Sequence, residues 1–289
     1  MTINRILCPI DLSDFSRPAL AHAMALGRWY DAEVIALHVF AAVMPPATLG
    51  TYPAWMLQIP EGRDAIVQEL RSILEPFTTT GTALRLHTAE GDAAGQIVGH
   101  ASELQADLIV IGTHGRGGFD RFTLGSVAEK VLRKAPCPVM TLPPGAAPAA
   151  AVAYRSILCP TDFSWSSERG IDLALSLARR SHATVTVLHV VETDDEDADV
   201  RRGDSDAEAL HSMLASRVQP SDTVSELVAT GTPHREILRV ADECDADLIV
   251  IGVRGRGAVD LTLFGSTTNQ VVRRATCPVI TVRSRGEES

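Results

Sequence analysis

The segment ADLIVIGTHGRGGFDRFTLGSVAEKVLRKAPCPVMTLP, starting at Ala106, recurs as ADLIVIGVRGRGAVDLTLFGSTTNQVVRRATCPVITVR, starting at Ala246. A duplication of this kind restricts the chain to two copies of one architecture. Each copy sets a strand-like apolar run, a glycine-rich stretch and a helical pattern in that order. The repeat reaches further, since RILCPIDLSDFS from Arg5 is echoed by RSILCPTDFSWS from Arg155, and VIALHV from Val34 by VTVLHV from Val185. Cys8 and Cys159 are 151 positions apart but Gly112 and Gly252 only 140, so the second copy is 11 residues shorter. The deletion falls between the Val39/Val190 and Gly91/Gly231 landmarks.

The chain has 289 residues, enough for two domains that each bury a core. The expected division is a first domain over residues 1–143, a linker over 144–153 and a second domain over 154–285. PPGAAPAAAVA, Pro143 to Ala153, carries no charge and no periodic apolar face, and so reads as a connector. The net charge is −3 up to residue 150 and −7 beyond it. An acidic balance in both halves argues against a nucleic-acid partner. MTINRILCPID has no basic segment before a long apolar core, so a signal peptide is not expected. No run approaches the roughly 20 apolar residues of a membrane span. A cytoplasmic chain without membrane insertion is the expectation. Cys8 and Cys159 lie in matching strands, Cys137 and Cys277 precede matching prolines, and Cys244 stands alone. Cysteines duplicated in apolar settings read as small core residues rather than as a disulfide framework, and no metal-ligand spacing accompanies them.

In the first half, β-branched apolar runs at Arg5–Ile10, Glu33–Phe40, Ala83–Thr88, Asp107–Gly112 and Pro138–Leu142 predict five strands. Helical patterns at Asp14–Tyr30, Glu61–Pro76, Asp92–Gln105 and Gly125–Lys134 separate them. Right-handed crossovers then favour a doubly wound five-stranded parallel sheet with helices on both faces, built twice in tandem. Ligands of such sheets sit beyond the carboxyl ends of the strands, where the winding reverses. That rule selects Pro9 to Asp11 and Gly112 to Ser126, with Pro160 to Asp162 and Gly252 to Ser266 in the second half.

Both glycine loops read Gly, two residues, Gly, nine residues, Gly-Ser: Gly112, Gly115, Gly125 and Ser126, then Gly252, Gly255, Gly265 and Ser266. Helix-start amides, a serine hydroxyl and the positive end of a helix dipole together suit an anionic phosphate. Tight strand-to-helix turns would use the same glycines. The GxxxxGK[ST] loop is absent, and the dinucleotide fingerprint lacks its third glycine. Charge compensation for a phosphate could come from His114, Arg116 and Arg121, from Arg254 and Arg256, or from Mg²⁺, although loop arginines are as readily solvated charges.

These residues resemble the universal stress protein family over almost the whole chain, as two tandem domains. The shared features are the ILCPxDFS-like start, the LHV second strand, ADLIVIGxxGRG, the GS helix start and the CPV last strand. The resemblance implies a Rossmann-like fold of the adenine nucleotide alpha hydrolase type. In ATP-binding members the aspartate after strand one and a backbone group at the end of strand two hold adenosine, and the glycine loop holds phosphates. Carried over, this implies Pro9, Asp11, Val39, Ile111, Gly112, Gly115, Gly125, Ser126 and Val127 in one site. The other would use Pro160, Asp162, Val190, Ile251, Gly252, Gly255, Gly265, Ser266 and Thr267. Taken alone, Asp11 and Asp162 also fit a helix-capping role. Arg254 for His114, Leu261 for Arg121 and Thr267 for Val127 mark the second site as the more divergent.

His38 and His189, paired in LHV, read as satisfied strand-end histidines, since no motif supplies a nucleophile for them. The proline-rich apolar segment Ala41 to Pro60, with Met44, Tyr52, Trp55 and Met56, suggests a lid, a partner surface or simple packing over the sheet edge. Its place in the second half is taken by VETDDEDADVRRGD, an acidic stretch expected to be mobile. The last strands, PVMTL and PVITV, are apolar edges that fusion allows to pair within the chain as an intrachain pseudo-dimer, and a homodimer remains compatible. The reading is an ATP-binding stress-response regulator with no assigned catalytic residue and an unidentified protein partner. ATP, with or without Mg²⁺, is the expected ligand, and AMP and cyclic AMP are not excluded. The alternatives are a slow ATPase, a protein that phosphorylates itself on Ser126 or Ser266, and a nucleotide-independent scaffold or chaperone.

Overall fold

A computed structural model describes residues 2–13, 15–41, 61–78, 81–113, 124–146, 154–192, 196–253 and 264–283, without the side chains of 61, 62 and 196–203. The first half runs β1 (Arg5–Pro9), α1 (Ser16–Tyr30), β2 (Glu33–Phe40), α2 (Glu61–Thr78), β3 (Leu84–Glu90), α3 (Ala93–Glu103), β4 (Leu108–Gly112), α4 (Ser126–Lys134) and β5 (Val139–Leu142). The second repeats it as β6 (Ser156–Thr161), α5 (Trp165–Ser181), β7 (Thr184–Val191), α6 (Glu196–Ala215), β8 (Thr223–Thr230), α7 (Pro233–Glu243), β9 (Leu248–Gly252), α8 (Ser266–Arg274) and β10 (Val279–Val282). Among the described residues no helix is long and apolar enough to cross a membrane.

The strands form one 10-stranded sheet in the order β3-β2-β1-β4-β5-β10-β9-β6-β7-β8. Every pairing within a half is parallel, and only β5 with β10 is antiparallel. The expected tandem, doubly wound α/β fold is therefore present. So is the expected pairing of the two last strands, which removes both apolar edges. Met140 faces Ile280 at the centre of the junction, and Thr141 and Thr281 each donate a side-chain hydrogen bond to the opposite strand, to the carbonyls of Val279 and Val139, at 3.2 Å.

Burial on both faces explains the near-continuous apolar strands. Along β1, Ile6 and Cys8 enter the core beneath α1 and α2, while Leu7 enters the core beneath α3 and α4. This is the two-residue alternation of an extended chain. Cys8, Cys137, Cys159 and Cys277 are buried thiols, as expected of small core residues, and Cys244 is half-buried. Burial pushes the Cys8 and Cys277 thiols up to about 12.

Within the acidic stretch from Val191 to Asp204, residues from Glu196 onward open a 20-residue helix, an element the sequence pattern did not announce. Leu210 and Leu214, four residues apart, are fully buried on the same core, with Met213 packed beside them. Each buried leucine contributes about 1.5–3 kcal/mol. An acidic composition at the helix start does not oppose that docking.

Candidate functional site

The winding direction reverses between β1 and β4 in the first half and between β6 and β9 in the second, so each half has one switch point. Beyond the end of β1 the chain turns sharply, with Leu12 at φ 64°, a left-handed conformation that its counterpart Phe163 shares at φ 60°. The Asp11 carboxylate anchors this turn: its Oδ1 accepts from the Ser13 amide at 3.0 Å, the Ser13 hydroxyl at 2.5 Å and the Ser16 hydroxyl at 2.8 Å. Asp162 Oδ1 accepts from the Ser164 amide at 3.1 Å, and Ser164 caps α5 by accepting from the Ser167 amide. Both aspartates therefore hold the turn before the helix but do not cap it, since the N-caps of α1 and α5 are Phe15 and Ser164. Both also stand at the switch point.

The end of the second strand is tied to this turn by histidine. His38 donates from Nδ1 to the Ile10 carbonyl at 2.8 Å, and His189 donates from Nδ1 to the Thr161 carbonyl at 2.8 Å. This matches the reading of both as satisfied strand-end residues. Val39 and Val190 follow them directly, at the carboxyl end of the sheet. In the second half the other ring nitrogen, Nε2, lies 3.5 Å from Asp206 of α6, a contact that motif spacing could not have shown.

Strand four ends with buried Ile111 and then Gly112; strand nine ends with buried Ile251 and then Gly252. The residues that flank each following loop are bonded to one another. The Gly125 amide donates to the Thr113 carbonyl at 2.7 Å, and the Gly265 amide to the Val253 carbonyl at 3.1 Å. Gly125 and Gly265 then stand as the N-caps of α4 and α8, and no side-chain cap is made there among the described residues. Ser126 and Ser266 are exposed at the first helical position, with Val127 and Thr267 next. Helix-start amides, an exposed hydroxyl and the helix dipole thus meet at each switch point.

Two of the glycines have a packing role as well. A Cβ on Gly252 would lie 2.8 Å from Ser166 Oγ and 2.9 Å from the Ser167 amide nitrogen, and one on Gly265 would lie 2.9 Å from the Val253 carbonyl oxygen. The first turn of α5 is therefore seated directly on the end of β9. Gly115 and Gly255, with His114, Arg116, Arg121, Arg254, Arg256 and Leu261, lie outside the described residues, as does the segment holding Met44, Tyr52, Trp55 and Met56. No metal-holding group of three or more His, Cys, Asp or Glu occurs among the described residues.

Sequence reasoning passed over Asp107 and Asp247 in the duplicated ADLIVIG. Asp107 Oδ2 accepts the amides of Asn4 at 2.8 Å and Arg5 at 3.1 Å, and Asp247 Oδ2 accepts that of Arg155 at 2.7 Å. They pin the start of the first strand in each half, at the end of the sheet remote from the site.

Residues 2–143 and 153–283 each match the model of the universal stress protein family. The chain belongs to the universal stress protein family. A universal stress protein of Mycolicibacterium smegmatis is 28% identical over 290 residues, spanning 97% of each chain. One from Methanocaldococcus jannaschii is 36% identical over 139 residues, 48% of this chain and 81% of its own. Among solved structures, a universal stress protein from Archaeoglobus fulgidus superposes with a TM-score of 0.72 at 24% identity, covering 100% of this chain and 98% of its own. That likeness extends the tandem fold along the whole length, so this universal stress protein is a two-domain member, as its internal repeat implied.

Proposed function

We propose that this universal stress protein binds ATP at both switch points and acts in the cytoplasm as a nucleotide-dependent regulator of the stress response. The observation that carries the reading is topological: β1 and β4 are neighbours, as are β6 and β9, so Asp11 and the helix start at Ser126, and likewise Asp162 and Ser266, follow the carboxyl ends of adjacent strands at a reversal point of the sheet. The donor set suits the ligand. Helix-start amides and an exposed hydroxyl meet phosphate oxygens, and a carboxylate can accept from a ribose hydroxyl. Val39, Val190, Ile111 and Ile251 would supply apolar contact to the base. Gly115 and Gly255 would let the backbone approach the phosphates, with Mg²⁺ or the loop arginines offsetting their charge.

Calorimetry with ATP, AMP and cyclic AMP on the full chain, with mass spectrometry of any copurifying small molecule, tests the reading. Saturable adenine-nucleotide binding weakened by Gly115→Ala supports it. A folded chain that takes up none of the three nucleotides ends it.

The exposure of Ser126 and Ser266 favours one second reading, self-phosphorylation. The serine oxygen would bond to the γ-phosphorus as the β,γ-bridging bond breaks, with ADP leaving and the hydroxyl proton passing to water. Label from [γ-³²P]ATP retained on the protein, and lost in Ser126→Ala with Ser266→Ala, would establish it.

A further inference from the structure

Each candidate site opens two helices, and both helix pairs meet across the junction between the halves. α1 starts at Ser16, whose hydroxyl holds Asp11, and its 15 residues span about 22 Å to Tyr30. There the Tyr30 hydroxyl lies 3.0 Å from the Ser176 hydroxyl of α5, the Arg180 guanidinium stacks 4.3 Å over the Tyr30 ring, and Arg180 donates to the Trp29 carbonyl. α5 in turn starts at the turn that carries Asp162. On the other face of the sheet, Glu129, one turn into α4, lies 3.2 Å from Arg133 of its own helix and 3.5 Å from Arg273 of α8. Arg283, just past β10, donates to the carbonyls of Leu132 and Arg133 at the end of α4.

Packing two copies of one domain does not by itself require these contacts. The Thr141 and Thr281 bonds are made twice, by equivalent residues. Among the described residues the helix contacts are made once, and in each at least one partner is not preserved by the repeat. At the offset of 151, Arg180 stands in the place of Trp29, Ser176 in that of Ala25, and Ser181 in that of Tyr30. At the offset of 140, Asn269 stands in the place of Glu129. Cation, aromatic ring and carboxylate have diverged into complementary partners at the ends of helices that begin in different sites.

We propose that the two sites are energetically coupled through these helices, so that a nucleotide in one alters the affinity of the other; this rests on adenine-nucleotide binding at both. A ligand that engages Asp11 competes with Ser13 and Ser16 for the same carboxylate, which re-partitions the hydrogen bonds of the first turn of α1. A helix packed on a dense core moves as a rod rather than absorbing such a change locally. The displacement is delivered at Trp29 and Tyr30, where it changes the fit of Arg180 and Ser176 and hence the setting of α5 against Asp162. Coupling of this kind is reciprocal between the sites.

The experiment is an ATP titration by calorimetry on the full chain, beside Asp11→Ala and Asp162→Ala, each of which leaves one site. Independent sites require the intact isotherm to equal the sum of the two single-site isotherms. We expect a departure in which one step shifts by about 5-fold or more, and expect Arg180→Ala, or Glu129→Gln as the gentler change, to restore the sum with circular dichroism unchanged. An intact isotherm equal to the sum overturns the coupling and leaves the nucleotide reading standing. A departure untouched by either variant overturns the helix route. Absence of any ATP binding by the intact, folded chain overturns the nucleotide reading itself.

Discussion

The Ser16 hydroxyl donates to the Asp11 carboxylate at 2.8 Å while accepting the Asp11 amide at 2.9 Å, so that one residue pair closes the turn on which the first site is built. The carboxylate thus has a structural task and a proposed ligand task, and substitutions separate them. Asp11→Ala should cost about 1 kcal/mol of stability, the usual net value of lost hydrogen bonds, and abolish nucleotide binding at the first site. Asp11→Asn keeps an acceptor for Ser13 and Ser16, and should stay within about 0.5 kcal/mol of the parent while still weakening the nucleotide. Urea denaturation and calorimetry on the two variants check this. Equal binding by Asp11→Asn and the parent would leave the aspartate a residue of the turn only.

Gly252 has no room for a methyl group. Its nearest obstacles include the Ser167 backbone nitrogen at 2.9 Å, which cannot rotate away as a side chain would. Gly252→Ala must therefore lift the start of α5 from β9, at a cost of about 1–3 kcal/mol, the range for overpacking. The denaturation midpoint should fall, and ATP binding at the second site should weaken more than at the first.

The thiols should differ sharply in reactivity. Burial pushes Cys8 and Cys277 up to about 12 and raises Cys159 as well, while Cys137 is buried and Cys244 is half-buried. Because the thiolate is the reacting form, a disulfide reagent near pH 8 should label Cys244 rapidly in the native chain. All five cysteines should label after unfolding in guanidinium. Fast native labelling of Cys8 would contradict the packing of the core beneath α1.

Stability on the acid side should depend on Asp222. Arg179 grips it with Nη2 at 2.6 Å and Nε at 2.9 Å, and these bonds, joined by the Gln219 amide, hold the Asp222 carboxyl below its usual range. A depressed folded value means that the stabilisation is complete above the ordinary carboxylate range near 4 and is lost as pH falls through the lower, folded value. Asp222→Asn should therefore lower stability at pH 7 by about 1–2 kcal/mol, the modest figure reflecting an arginine one third exposed. The gap from the parent should narrow toward pH 2–3 in urea titrations. Asp247 acts with the opposite sign: burial raises its carboxyl, so its charge opposes folding above that raised value and the penalty is relieved on acidification.

The framework of the candidate site was legible because its residue types have few physical alternatives. Glycine followed by serine at the start of a helix that follows an apolar strand leaves amide donors without a side-chain cap, and Gly125–Ser126 and Gly265–Ser266 stand there. Asp11 and Asp162 follow the first strand of each half as expected, but their hydrogen bonds with Ser13, Ser16 and Ser164 were not visible, because a carboxylate that holds a turn looks the same in sequence as one that holds a ligand. The start of α6 was not foreseen for a different reason. Local acidity suggests solvation, whereas Leu210 and Leu214 dock the helix from its far end. The Asp107 and Asp247 anchors were missed because each accepts backbone amides from a strand about 100 residues earlier, which leaves no local pattern.

What the sequence determined by itself is what periodicity and repetition carry: two copies, their alternating strands and helices, the switch-point loops and the family. Only the tertiary structure decided how the copies meet. β5 and β10 pair antiparallel about Met140 and Ile280, and Tyr30, Arg180, Glu129 and Arg273 become partners across that seam. The physical reason is range. Side-chain alternation and helix starts are written within a few neighbouring residues, whereas a guanidinium stacked on a ring 150 positions away depends on the summed packing of every element between them.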